Sequence, residues 1–337
     1  MCNFGRLRIH INLKMFVKRV LIGFLVFLAV IISSLFLLPP FLGKSKPVSS
    51  NLLVVEGWVS DNAMAQAADQ IRSGNYSMIV TTGGPTPEDV EMLYNGYIVI
   101  KCANLPIQNF KEITVEAFGD KGGNENAHFK LLVDNRMVGE TYVSKKLQPY
   151  KFNVPDGINR IDSVTVVFDN DYFVSKSDDR NLYIRSIVIG NKEISARSDR
   201  NYLVNNGVKT PVHSNFAKRA AFDLMKLGID SSKIIAVPAI GVKSERTLTS
   251  ARTFATWVYR HKIHVSNCNI FSQGIHSRRS WLEYRFILGK HINVGIIAAH
   301  DPAFEKKWWT SRENIHKVFR EGIGCLYFRI LLLSQIF

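Results

Sequence analysis

Hydrophobic and polar positions change texture three times along the chain. Residues 20–43 carry no charge, and 20–38 are almost wholly Leu, Ile, Val and Phe. At ~1.5 Å per residue that length suits a helix spanning a ~30 Å hydrocarbon core. After a short polar linker, residues 51–56 (NLLVVE) form a continuous apolar run stopped by Gly57, the pattern of a strand buried on both faces. Asp61 is expected to cap a helix to about Arg72 that turns Ala63, Ala67, Ala68 and Ile71 towards a sheet. Residues 78–82 (MIVTT) then read as a second buried strand, ended by Gly83-Gly84-Pro85. Strand, helix and strand in this order make a βαβ unit and hence a parallel sheet, whose sites lie at the carboxyl ends of its strands.

From about residue 97 to 206 the helical period disappears. Short alternating runs at 113–118, 128–133, 150–154, 164–168 and 182–189 replace it, with Gly122-Gly123, Asp134-Asn135 and Pro155-Asp156-Gly157 as turns. This stretch reads as a β-sandwich. The α/β texture then resumes: a helix over 215–227 stopped by Gly228, a strand at 234–237, a helix opened by Ser244-Glu245-Arg246-Thr247, strand and helix across 269–289, a strand at 294–298, and a mainly helical segment at 308–327. The expected architecture is an α/β fold with a doubly wound, mainly parallel sheet, an inserted all-β sandwich and one N-terminal transmembrane helix. Its divisions are a tail at 1–19, an anchor at 20–42, α/β halves at 51–96 and 207–330, and the insert at 97–206. The apolar end, 323–337, is interrupted by Arg329 and is expected to pack on the domain or rest against the bilayer surface.

Charge sharpens this division. The formal net charge of +15 splits into +7 over 1–46, −5 over 47–96, +1 over 97–206 and +12 over 207–337. Arg6, Arg8, Lys14, Lys18 and Arg19 precede the apolar run, which predicts an N-terminus kept in the cytoplasm. Leu37-Leu38-Pro39-Pro40 offers no small-x-small cleavage site, so the run reads as an uncleaved signal anchor. The expected location is the inner (cytoplasmic) membrane, single-pass, with the bulk of the chain extracytoplasmic. No Lys/Arg run interleaves with aromatics, so nucleic acid is not an expected partner. The four cysteines form no CxxC pair, which argues against clustered metal and thioredoxin-type chemistry.

Two stretches could carry chemistry. In Phe168-Asp169-Asn170-Asp171 and Asp178-Asp179-Arg180, four carboxylates fall within eleven residues and would repel one another unless a cation sat among them. Hard oxygen ligands without Cys or His favour Ca²⁺, although the spacing is not that of an EF-hand loop. The alternative is a solvated acidic turn balanced by Arg180 and Lys176. The second stretch is 269–289, where His276, Arg278 and Arg279 cluster at an expected helix start, a place that favours anions. The alternative there is a surface helix with Arg279 paired to Glu283.

At neighbouring strand ends stand Glu56, Thr82-Gly83-Gly84 and Glu245-Arg246-Thr247. Together with His276, Arg278 and Arg279 they are expected to line one cleft. His276, Glu245 or Glu56 would be the acid or base, the arginines would hold an anion, and the glycines would allow close backbone approach. Neither a GxSxG turn nor a Walker glycine loop is present, so the reaction type stays open. Trp308-Trp309 is read either as a sugar platform or as the anchor of the terminal helix.

The insert resembles the xylan-binding carbohydrate-binding modules of family 60, through FDND…DDRNLYI, ITVEAFG with the glycine-rich turn before Glu125, and LLVDNRMVGE. That resemblance implies a calcium ion contacting sugar hydroxyls directly, with Asp171, Asp178 and Asp179 as its ligands and Asp169 and Asn170 in support. Tyr172 and Phe173 lie near the loop, and neither is assigned a stacking role. The split α/β domain resembles the SanA/ElyC/YdcF envelope family, through LVVEGWVSDNAMAQAA, IVTTGGP, SERTLTSAR, HSRRSWLEYRFILG and the segment from VGIIAAHDPAF to CLYFR. It departs from many members in carrying Glu56-Gly57-Trp58 where they have a glycine-rich first loop.

The expected function is that of a membrane-anchored envelope protein binding polysaccharide, xylan-like or an envelope glycan, through Ca²⁺ in the sandwich. An anionic glycan or lipid-linked precursor would occupy the α/β cleft. Two alternatives stand beside it: a non-catalytic glycan-binding scaffold, and a small-molecule transferase using a nucleotide-like cofactor.

Overall fold

The computed structural model describes residues 13–107, 111–241, 245–304 and 307–334; Ser244, placed by the sequence at a helix start, lies outside them. The parallel sheet has five strands in the order Ile234–Pro238, Met78–Gly83, Leu52–Glu56, Asn267–Gln273, Asn293–Ala299. The chain divides into two compact units, one of residues 1–55, 59–78 and 262–337, the other of 56–58 and 79–261.

All five residues of the strand Leu52–Glu56 are buried, as the apolar run over 52–55 requires. The helix Asp61–Ser73 buries Ala63, Met64, Ala67, Ala68 and Ile71. Its cap is Ser60 rather than Asp61: Ser60 has extended backbone and its Oγ accepts from the Ala63 amide. Asp61 instead opens the first turn, where its charge faces the positive end of the helix.

The expected polar linker is stitched to the sheet. Lys46 and Ile296 exchange backbone hydrogen bonds of 2.7 and 3.0 Å. The buried Asn269 side chain accepts from the Val48 amide at 2.9 Å and donates to the Val48 carbonyl at 2.8 Å. Gly295, opposite Asn269 in the register, leaves room for that clamp, since a Cβ there would lie 2.1 Å from Asn269 Oδ1.

The helix Ser277–Leu288 stops at Gly289, whose φ of +67° suits glycine. The first helix runs over Leu13–Leu42, and its large residues from Val20 to Leu28 are exposed. Among the described residues no helix is long and apolar enough to cross a membrane. Side chains at 13–16, 30–32, 34 and 35 lie outside the description. Trp308 is buried and Trp309 meets Phe36 edge-on at 4.7 Å, so this pair secures the start of the terminal helix Arg312–Ser334.

In the second unit two antiparallel sheets form the sandwich. One orders Gln148–Asn153, Glu112–Gly119, Leu182–Ile189 and Lys192–Ser195, with Val90–Met92 also paired to Leu182–Ile189. The other orders Val208–Pro211, Tyr202–Asn205, Gly96–Pro106, Arg160–Phe168, His128–Val133 and Arg136–Tyr142. The β region thus extends over 90–211, a little beyond the expected 97–206. Alternation drives the packing: Ile113, Val115 and Ala117 on one sheet and Phe129, Val166 and Phe168 on the other are fully buried in a shared core. Helix Phe216–Lys226 is capped by Asn215, and helix Arg246–Arg260 buries Leu248, Ala251 and Phe254. Cys102, Cys268 and Cys325 are free and buried, and burial pushes their thiols up to about 11, 12 and 12.

Candidate functional site

The acidic stretch forms a small hairpin, Tyr172–Ser175 against Asp178–Arg180, between the strands Arg160–Phe168 and Leu182–Ile189. Arg180, 5% exposed, organises it from within. Its guanidinium donates to the carbonyls of Asn170 at 2.5 Å, Glu125 at 3.2 Å and Gly122, and it pairs with the Glu125 carboxylate at 3.2 Å. Gly122 permits this approach, since a Cβ there would sit 3.0 Å from the Arg180 amide nitrogen. The next residue, Gly123, has φ +56° and donates its amide to Asp178 Oδ1 at 2.8 Å. Arg180 is therefore an internal strut rather than a solvated counter-charge.

The five expected ligands separate into two groups. Asp169 receives His128 Nδ1 and Lys130 Nζ, each at 2.7 Å. Burial pushes its carboxyl upward, but those hydrogen bonds prevail and hold it below its usual range. Asn170 Oδ1 accepts from the His128 amide at 2.8 Å, and its amide group donates to the Asn126 carbonyl at 3.0 Å. Both residues thus fasten the loop to its neighbours. Asp171 differs: its Oδ1 is buried and has no hydrogen-bond partner. Burial, with the Asp179 charge adding to it, pushes the Asp171 carboxyl above its usual range against the Tyr172 amide and Arg180.

Asn181 was not among the expected ligands, yet it is 5% exposed and its Oδ1 is likewise buried without a partner. Its place inside the acidic run was the signal that could have found it. Orphaned oxygens are costly in a protein interior unless something meets them. Asp171, Asp179 and Asn181, with Asp178 beside them, offer the hard oxygen donors that Ca²⁺ accepts. Among the described residues no group of three or more His, Cys, Asp or Glu could hold a metal. The two orphaned oxygens of Asp171 and Asn181, rather than a cluster of carboxylates, are what a cation could meet here. Around the loop Tyr142, Tyr172 and Phe173 are exposed.

The basic cluster at the start of Ser277–Leu288 has a different fate. Arg279 Nε donates to Glu321 Oε2 at 2.6 Å, and His276 Nδ1 lies 3.0 Å from the same oxygen. Arg279 also reaches Glu283 Oε1 at 3.3 Å, the i,i+4 partner foreseen as the alternative. Glu321 and Glu283 are each 2% exposed. Burial pushes the Glu321 carboxyl up, but His276 and Arg279 outweigh it and bring it to about 2. Arg278 donates to the Phe41 carbonyl at 2.8 Å and lies 3.8 Å from that ring's centroid. Glu321, from the terminal helix, escaped sequence reasoning because it stands 42 residues from Arg279.

Glu56, Thr82, Gly83, Gly84, Glu245, Arg246 and Thr247 belong to the other unit. Glu56 and Thr82 are buried, and the Gly57 amide donates to the Thr82 carbonyl at 2.7 Å. The glycines do not leave space for a ligand. A Cβ at Gly57 would lie 2.2 Å from the Phe216 carbonyl oxygen and one at Gly83 would lie 2.6 Å from Phe216 Cβ, while Gly84 O accepts from the Phe216 amide at 2.9 Å. They admit the first turn of Phe216–Lys226. Glu245 precedes helix Arg246–Arg260 with φ +51° and makes no side-chain capping bond, and Thr247 is buried.

No curated protein matches the chain. Among solved structures, vCBM60 in complex with galactobiose is 19% identical over 31% of this chain and 89% of that one, with a TM-score of 0.23. A family two carbohydrate esterase from Cellvibrio japonicus is 11% identical over 74% of this chain and 93% of that one, with a TM-score of 0.22. One from Clostridium thermocellum in complex with cellohexaose is 11% identical over 69% and 80%, with a TM-score of 0.22. The segment that holds the acidic loop, residues 112–203, matches the family CBM60, the Ca-dependent, xylan-binding carbohydrate-binding module.

Proposed function

We propose that this chain is a membrane-anchored, glycan-binding protein whose inserted sandwich captures a xylan-like polysaccharide through Ca²⁺. Asp171, Asp179 and Asn181 would hold the ion, with Asp178 alongside. The observation that carries this reading is the pair of buried, unpartnered oxygens, Asp171 Oδ1 and Asn181 Oδ1, within the family-60 match. When bound, the ion supplies a positive centre that sugar hydroxyls can join, completing a shell the protein leaves open. The chain's own residues position it. Arg180 sets the loop, Asp169 and Asn170 tie it to the neighbouring strand, and exposed aromatic faces flank it. Calorimetric titration of the full chain with xylo-oligosaccharide, with and without a chelator, is the test. Equal binding in both conditions would sink the calcium reading.

The anchor reading rests on the uncharged run over 20–43, its basic flank, and the exposed apolar residues of Leu13–Leu42. It places the sandwich outside the cytoplasm. Resistance to carbonate extraction, with protease access to the sandwich from the outer side only, is the expected behaviour. For the α/β part, read as SanA/ElyC/YdcF-like, a non-catalytic scaffold is favoured over chemistry at His276. Glu321 and Glu283 already compensate Arg279 there, so its charge serves packing rather than an anion. Envelope phenotypes should therefore survive replacement of Glu245 and His276.

A further inference from the structure

A second feature of the sandwich-bearing unit is a cavity of about 480 Å³, within the roughly 300–1,000 Å³ of small-molecule sites. No residue of the acidic loop lines it. Its apolar wall includes Val90, Val212, Phe216 and Phe222, and three cationic side chains, Arg197, Arg219 and Lys226, face it with two acids, Glu91 and Asp223. Glu91 accepts from the Tyr183 hydroxyl at 3.1 Å, and Asp223 lies 3.5 Å from Arg219.

Arg197 is the unusual member. It donates to the carbonyls of Pro87 at 3.0 Å and Asp89 at 2.5 Å, and among the described residues no carboxylate forms an ion pair with it. The nearby Asp89 carboxylate is taken by Arg185, at 2.9 and 3.2 Å. Burial, with Arg219 adding like-charge repulsion, disfavours the Arg197 cation, and the Asp89 and Glu91 charges offset this only in part. A half-buried guanidinium whose hydrogen bonds go only to carbonyls keeps a charge that a bound anion could meet. His213 adds a second unmet group: its Nε2 is buried without a partner, and its ring stands 5.1 Å from that of Phe222.

We infer that this cavity binds a carboxylate-bearing sugar unit, its carboxylate on Arg197 and Lys226 and its apolar ring face against the phenylalanines. A fork-shaped guanidinium matches a carboxylate in two parallel hydrogen bonds. The size of the apolar wall argues for a ring-sized body behind the charge and against a bare inorganic anion. The sugar assignment rests on the glycan reading of the sandwich, whereas the anion assignment does not.

Calorimetry on the full chain with glucuronate, with neutral xylo-oligosaccharide and with inorganic phosphate separates the possibilities. Glucuronate should bind whether or not chelator is present, weaken with salt, and lose roughly tenfold or more in affinity in Lys226→Gln and in Arg197→Gln. Neutral xylo-oligosaccharide should respond to chelator and to neither substitution. Circular dichroism melts of both variants, matching the parent, show that the fold is kept. The inference is overturned if glucuronate fails to bind, if neither substitution weakens it, or if phosphate binds as tightly. Loss of chelator-sensitive xylo-oligosaccharide binding alone, with glucuronate binding retained, counts against the sandwich reading and supports the cavity as an independent site.

Discussion

The acidic hairpin and the basic helix start look alike as charge clusters, yet they resolve in opposite ways. At the helix start the cations meet their counter-charges inside the protein. Glu321 arrives from the terminal helix and Glu283 from one turn on, and Arg279 is held between them. At the hairpin the one internal cation, Arg180, is used on backbone carbonyls and Glu125, and Asp171 and Asn181 are left with unmet buried oxygens. What separates a structural cluster from a binding one is not the density of charge but whether the fold completes the neutralisation itself.

The comparison breaks most sharply at Glu321. Glu321→Ala would leave Arg279 and His276 facing each other, and unfolding by denaturant should show a loss of about 3 kcal/mol. Asp171→Ala should behave inversely: xylo-oligosaccharide affinity falls roughly 100-fold, beyond what an outer-shell change costs, while the melting temperature holds or rises. A stable Glu321→Ala protein, or an unstable Asp171→Ala protein that still binds, would dissolve the distinction.

A further contrast is expected in pH. The Glu321 carboxyl is brought from 4.5 down to about 2, so its contribution is complete above the unfolded value and is lost as pH falls from 4.5 towards 2. Asp171 is shifted up from 3.8, so without metal its ionised form costs stability above that value and acidification relieves it. Calcium affinity should therefore weaken as pH falls through the raised Asp171 value, where protons compete for the same oxygen. Denaturant midpoints and calcium titrations between pH 2 and pH 7, on the parent and on Asp171→Asn, read both slopes.

Much of the frame was legible because its signals are local. Unbroken apolar runs such as 52–56 marked parallel strands, and alternation such as 113–118 marked the sandwich. Ser60 took the cap from Asp61 by a single position, a distinction that depends on backbone angles rather than composition. The acidic loop was visible as a charge run, and within it Asp169 could not be told from Asp171. Their difference comes from His128 and Lys130, some forty residues away in the chain. The stitched linker was hidden for the same reason, since Val48 and Asn269 are 221 residues apart. Gly83 reads in the sequence as allowing close backbone approach to a ligand, whereas a helix from beyond the insert fills the space. Long-range partners decide such sites, and periodicity carries no record of them.

Arg180 has one more consequence. By gathering the carbonyls of Gly122, Glu125 and Asn170 about a covalently attached cation, the loop carries its own permanent substitute for a structural ion. Metal loss then need not melt the hairpin. On the proposed reading, grip on a glycan would rise and fall with calcium concentration while the hairpin stays folded, ready to reload without passing through an unfolded state.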